Sequence, residues 1–195
     1  MVESMIATVA EKGYTEATVA DVIRSAGVSR ATFYEQFADK EDCFVAAYTT
    51  VMDGMLGYVA EGVASTESDD WVEQIRGGIG RLLEYLADNP LSVRTGIVEA
   101  FGAGARARDR YQKAVSSFFP YLDAGRSLAD QPDRIPNEVS RLIVGGVSSL
   151  MFAEASSGNA RGLPDLLPDM MYVVVAPYLG REAALEVMNE TREAR

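Results

Sequence analysis

Apolar residues near the start of the chain recur at helical steps, and the polar residues between them sit where helices begin and end. Val19, Val22, Ile23 and Ala26 fall at offsets of three, four and seven, one face of a short helix. Thr18, just before them, is an N-cap able to accept an orphan backbone N–H. Gly27 can take the left-handed conformation that stops a helix, and Ser29 caps the next one. That second helix is predicted over residues 30–37, with Phe33 and Phe37 inward and Arg30, Thr32, Tyr34 and Gln36 on outer or flanking positions. Upstream, Met5, Ile6 and Val9 predict a helix over residues 1–12, stopped by Gly13. A helix, a glycine turn and a helix with a polar outer face is the helix-turn-helix plan.

The same periodicity runs on. Asp39 caps a long helix over residues 40–64, with Phe44, Tyr48, Val51, Met55 and Val59 in one stripe. Gly54, Gly57 and Gly62 interrupt it, which fits either close packing against a neighbour or a helix that pivots. A helix over 71–87 ends at Asn89-Pro90, since a residue before proline avoids the helical region. A shorter helix is predicted over 91–101, and one over 105–128 that Pro120 should kink or split. The segment 137–157 is strongly apolar, and its Gly145-Gly146 pair would permit close helix approach. The segment 163–179 is apolar all round, so both its faces need cover. Periodicity alone would allow a strand there, but a lone strand finds no partner in a helical chain. A charged terminal helix over 181–195 completes an all-α chain: a three-helix head over residues 1–46 and a helical body over 47–195.

Composition changes the picture in three ways. No histidine is present, which removes His-based acid–base catalysis, Ser-His and Cys-His pairs and every His-ligated metal site. With no glycine-rich phosphate loop either, no catalytic residue, metal or cofactor is expected, and an enzyme is a poor reading. Cys43 is the single cysteine, so no internal disulfide can form and a reducing compartment, the cytoplasm, is expected. No stretch reads as a membrane span. The net charge of −11 runs against the basic footprint of a nucleic-acid binder. Residues 1–44 alone hold eight acids against four bases. Placement offsets this in part: Arg30 and Lys40 bracket the second helix, and helix N-termini hold phosphates without formal charge.

The stretch E-K-G-Y-T-E-A-T-V-A-D-V-I-R-S-A-G-V-S-R-A-T-F-Y-E-Q-F-A-D-K-E-D-C-F resembles the N-terminal head of the TetR family of one-component transcriptional regulators. The Gly-Tyr before the first cap, the Ala-Gly-Val-Ser turn, the Phe-Tyr pair and the Phe-x-x-Lys opening the next helix all fall at family spacing. Beyond this first quarter the chain matches in length and helical style only. The resemblance implies a longer first helix preceded by a basic arm; this sequence opens where that helix would already be under way.

What the resemblance implies is a homodimeric, ligand-responsive regulator, a repressor, reading a near-palindromic double-stranded DNA operator. Thr18, Ser29, Tyr34 and Lys40 would hold phosphates; Arg30 and Thr32 would reach base edges, with Gln36 nearby. The dimer would form on the helices over 137–157 and 163–179. A small apolar or amphipathic effector would bind in the body, where Trp71, Tyr85, Phe101, Tyr111, Phe118, Phe119 and Phe152 are the aromatic candidates for its pocket. The helix over 40–64 would be the lever between effector and head. The alternative is a helical ligand-binding or interaction dimer without DNA binding, which the acidic head favours.

Overall fold

The computed structural model describes the chain except Glu67, Arg195 and the side chain of Phe101. Three short helices form the head: α1 (Val2–Lys12), α2 (Val19–Ala26) and α3 (Arg30–Gln36). Their ends are set by local chemistry. The Thr18 hydroxyl accepts from Asp21 N–H at 3.2 Å while the Asp21 carboxylate accepts from Thr18 N–H at 3.2 Å, a reciprocal capping box. Gly27 closes α2 at φ 65°, a backbone conformation that side-chain-bearing residues avoid. Ser29 then accepts from Thr32 N–H at 3.0 Å and opens α3. Inside, Met5, Val9, Val22 and Phe33 are fully buried.

Asp39 caps α4 (Lys40–Ala64), accepting from Asp42 N–H at 2.7 Å. Among the described helices α4 alone has the length and apolarity to cross a bilayer, but here its buried face packs against α1, α5 (Trp71–Asp88) and α7 (Ala105–Ser116). Gly62 makes that packing possible: a Cβ there would stand 2.3 Å from the Gly77 carbonyl oxygen of α5, and one on Gly77 would stand 2.6 Å from that of Gly62. Of the two readings of the α4 glycines, Gly62 takes close packing; Gly57 faces nothing within 4 Å.

The predicted helix over 91–101 is not one regular helix. Pro90 starts a single α-helical turn, α6 (Pro90–Val93), after which the chain widens into a π-helical stretch (Arg94–Val98) and tightens into a 3₁₀ stretch (Glu99–Gly102). Pro120 splits the next segment as expected, into α7 and α8 (Phe119–Asp123), with a 3₁₀ turn over Ala124–Leu128. α9 (Val139–Ser156) follows, then a 3₁₀ turn (Ala160–Leu166) and α10 (Leu167–Glu193). The stretch that periodicity left open between helix and strand is helix. α10 changes direction at Gly180, φ 84°, and its last part is tied back to α5 by Arg76 Nε donating to Thr191 Oγ1 at 3.0 Å.

The buried residues form two clusters. One runs from the head through α4 into α5 and the 3₁₀ turn before α10: Val22, Phe33, Phe44, Tyr48, Leu83 and Leu163 have no exposure. Cys43 is buried in this cluster where α4 leaves the head. The other fills the far end of the body around Trp71, Ile143, Met171, Val174 and Tyr178. A Cβ on Gly145 or Gly146 would meet nothing within 4 Å beyond its own helix, so the close approach expected of them is not made within the single chain.

Candidate nucleic-acid interface and ligand cavity

α3 is short because both of its ends are fixed: Ser29 caps its start, and Phe37 leaves it in extended conformation. Burial of Phe33, edge-on to Tyr34 at 5.3 Å and packed on Phe37 at 5.6 Å, decides which face turns outward. Arg30, Tyr34 and Gln36 are exposed on that outer face, and Thr32 is half-buried. Arg30 lies along Tyr34, its guanidinium carbon 5.6 Å from the ring centroid and a nitrogen 3.5 Å from the hydroxyl. A cation over an aromatic face is thereby held in place on a helix of about two turns. The Ser29 and Thr32 hydroxyls share a hydrogen bond at 2.9 Å.

Two of the expected phosphate ligands carry structural duties. The Thr18 hydroxyl donates to Asp21 at 2.7 Å. Asp21 also pairs with Lys12 at 2.8 Å and Arg24 at 3.3 Å. The Lys12 and Thr18 hydrogen bonds hold the Asp21 carboxyl well below the usual carboxylate range. Lys40 sits over the Tyr14 ring at 4.3 Å and donates to the carbonyls of Tyr14 at 2.9 Å and Ala17 at 3.0 Å, with that of Thr15 at 3.5 Å. An ammonium has three donors, so a phosphate would have to compete for them. These carbonyls belong to the loop between α1 and α2, and their converging negative ends are what the ammonium turns toward.

The body contains a cavity of about 500 Å³ between α4 and α5 on one side and α7, α8 and α9 on the other, with the π-helical stretch at its head-proximal end. That volume is in the range of small-molecule sites, roughly 300–1,000 Å³. Met52, Met55, Leu56, Val59 and Val63 of α4 run along it, with Ile79 and Leu82 of α5 and Val147 and Met151 of α9 also in its wall. Its polar side chains are Gln74, Tyr111, Tyr121, Ser148 and Ser149; no Asp, Glu, Lys or Arg lines it among the described residues.

Of the aromatic candidates, Tyr111, Phe118 and Phe152 line this cavity. Trp71, Tyr85 and Phe119 do not, and the reasons are their polar handles and neighbours. Trp71 Nε1–H donates to the Tyr121 carbonyl at 2.8 Å, and its ring meets Tyr178 edge-on at 5.3 Å in the far core. Tyr85 stacks on Tyr58 at 4.3 Å and bonds Ser92 through its hydroxyl at 3.4 Å. Phe119 packs at the edge of the far core. Phe101 lies outside the described side chains. Most of the wall is aliphatic and methionine, and its trace in the sequence is the apolar stripe of α4 together with the apolar helices over 71–87 and 137–157.

Three contacts bind the body to the head beside this cavity. Tyr14 N–H donates to Glu99 at 2.8 Å, Thr95 donates to the Ile6 carbonyl at 3.3 Å, and Arg106 pairs with Asp42 at 2.6 Å. Thr95 belongs to the π-helical stretch, whose Gly96, Ile97 and Val98 line the cavity, and Glu99 comes directly after it.

Comparison with known proteins agrees with this geometry. Residues 6–47 match the family model of bacterial regulatory proteins, tetR family. The whole chain superposes on the fatty acid degradation regulator FadR from Bacillus halodurans with a TM-score of 0.75 at 17% identity, over 91% of this chain and 92% of that one. FadR from Bacillus subtilis, solved in complex with stearoyl-CoA, gives 0.72 at 18% identity over 90% and 96%. A TetR family transcription regulator from Marinobacter aquaeolei VT8 gives 0.65 at 16% identity over 99% and 92%. No curated protein matches the sequence. At such identities the structural likeness is one of fold, while the family match is confined to the head: residues 6–47 carry the helix-turn-helix of the tetR family of bacterial regulatory proteins, and the chain as a whole has the all-α fold of these neighbours.

Proposed function

We propose that the chain is a homodimeric, ligand-responsive transcriptional regulator of the cytoplasm, a repressor without catalytic activity. In this reading α3 enters the major groove of a near-palindromic operator. Arg30 and Thr32 reach base edges with Gln36 nearby, and Thr18, Ser29, Tyr34 and Lys40 lie toward phosphates. The observation that carries it is that one helix, α4, opens inside the matched head and walls the apolar cavity with its far half.

The dimer is supported by the apolar face that α9 and α10 leave uncovered: Leu142 is 71% exposed, Val173 46%, and Leu150 and Phe152 38% each. A self-complementary contact on that face is the closed, isologous kind. Two copies would then present their α3 helices about 34–36 Å apart, one turn of DNA. The cavity wall, free of charged side chains, suits an apolar or amphipathic effector; the Bacillus subtilis neighbour holds stearoyl-CoA, whose acyl chain is of that kind. An occupant pressing on Gly96 and Ile97 would disturb Thr95 and Glu99, and with them the two bonds to α1 and Tyr14. Effector and operator would thus favour different settings of the head, which is the requirement for coupling.

The test is selection of duplex DNA from a random pool, then affinity for the selected site at several salt concentrations. Phosphate-driven binding must weaken as salt rises. Arg30→Ala should cost about 1–3 kcal/mol and relax one position of the site. Equal affinity for selected and random DNA overturns the operator reading. Absence of any salt-dependent binding leaves the second reading, a helical ligand-binding dimer without DNA binding, which the eight acids of residues 1–44 favour.

A further inference from the structure

Tyr48 continues the cavity stripe of α4 one turn toward the head. Tyr48, Met52, Met55, Val59 and Val63 follow one another at steps of four, three, four and four, and the last four line the cavity. Tyr48 itself has no exposure. Its hydroxyl is the one buried side-chain polar atom without a hydrogen-bond partner among the described residues. A buried donor left unsatisfied is destabilising, and native structures keep one only with a reason. Burial pushes this phenol well above its ordinary range, so its proton stays on and the group remains a donor.

The lining of the cavity on α4 stops one turn short of Tyr48, at Met52. Tyr111, a cavity residue, and Arg110 are close enough to act on the hydroxyl electrostatically. Arg110 is already engaged by Asp53 at 2.5 Å and Thr49 at 3.3 Å. The wall at this end is methionine: the terminal methyls of Met52 and Met55 crowd over Gly96, each 2.9 Å from where a Cβ would stand. Methionine is unbranched and repacks readily, so this wall can give way to an occupant. From Met52 to Val63 the α4 wall extends about 16 Å at 1.5 Å per residue, room for a long molecule with one end here.

We propose that Tyr48 is a specificity-determining residue of the cavity, donating a hydrogen bond to a neutral carbonyl oxygen near one end of a long lipophilic ligand. The assignment rests on the reading of the cavity as the effector site. A ketone, ester or lactone supplies the acceptor that the phenol lacks. A carboxylate or phosphate does not belong there, because one phenol cannot offset the burial of a full charge in a wall without cations.

The experiment compares the twelve-carbon methyl ketone with the twelve-carbon alkane, by displacement of an apolar fluorescent dye from the full chain. The chain should prefer the ketone by roughly tenfold, the worth of one net hydrogen bond. Tyr48→Phe should lose the ketone preference, keep the alkane affinity, and unfold at an unchanged or higher temperature, because the orphan hydroxyl is gone. Ketone preference that survives in Tyr48→Phe overturns the assignment. So does the absence of preference in the unmodified chain, a result that needs no variant to fold. Displacement of operator DNA by the alkane and ketone alike keeps the effector cavity and removes only Tyr48 from it. Failure of both probes to bind overturns both readings.

Discussion

The head and the body use apolar residues in opposite ways. In the head, Met5, Val22 and Phe33 have no exposure and meet one another, so little of the interior is unfilled. In the body, Met52, Leu56, Val59, Leu82 and Val147 surround about 500 Å³ that they do not fill. The contrast teaches where rigidity is needed. A helix of seven residues such as α3 cannot hold its own shape, so its geometry must come from packing beneath it. The cavity wall, if it takes the proposed effector, must instead admit an occupant and be remade around it. The two regions meet on α4, which takes part in both kinds of packing.

The largest expected effect attacks the filled region. Phe33→Ala should destabilise by about 3–5 kcal/mol, since a fully buried aromatic leaves an uncollapsed void. Denaturant unfolding should show that loss, and DNA binding should vanish. Ligand binding by the body, measured on the same variant by dye displacement, should persist in part; its complete loss would mean that the two regions are not distinct in stability.

The opposite change suits the unfilled region. Val147→Phe places extra side chain into the cavity, and filling such a space commonly adds about 0.5–2 kcal/mol. The melting temperature should rise by a few degrees while dye binding falls. A destabilised Val147→Phe would show the cavity wall to be as tightly determined as the head.

A smaller effect separates the regions by pH. The Asp21 carboxyl in the head is held below its ordinary range by Lys12 and Thr18. A depressed folded-state value contributes stability above the ordinary carboxylate range, near pH 4, and that contribution disappears as pH falls through the folded value. Asp21→Asn should therefore be less stable than the unmodified chain at pH 7, and the gap should narrow steadily below about pH 4. A gap independent of pH would assign the effect to shape and not to charge.

The head was readable because its causes are local. Thr18, Gly27 and Ser29 each act within four residues, and the structure uses each as its residue type suggests. Lys40 was less readable: its ammonium turns to carbonyls of the Tyr14–Ala17 loop, a contact across more than twenty residues. The cavity was harder still. Met52 and Val59 carry the same letters whether they fill a core or wall a space, and aromatic content points equally to both. Trp71 and Tyr85 are aromatic for the sake of a carbonyl and a stacked ring. The stretch over residues 91–101 failed as a regular helix for a tertiary reason. Gly96 lies where a Cβ would stand 2.9 Å from side-chain methyls of Val51, Met52 and Met55, and its neighbours Thr95 and Glu99 are tied to the head.

Cys43 turns the junction between the two regions into a clock. The thiol is the chain's single one, buried where α4 leaves the head, and burial pushes it up to about 11. Only the thiolate reacts, so at neutral pH alkylation proceeds when the junction opens and the thiol regains its ordinary acidity. The labelling rate then reads how often head and body part, with no introduced probe. Measured with and without an occupant in the cavity, it follows in time what affinity measurements record only at equilibrium.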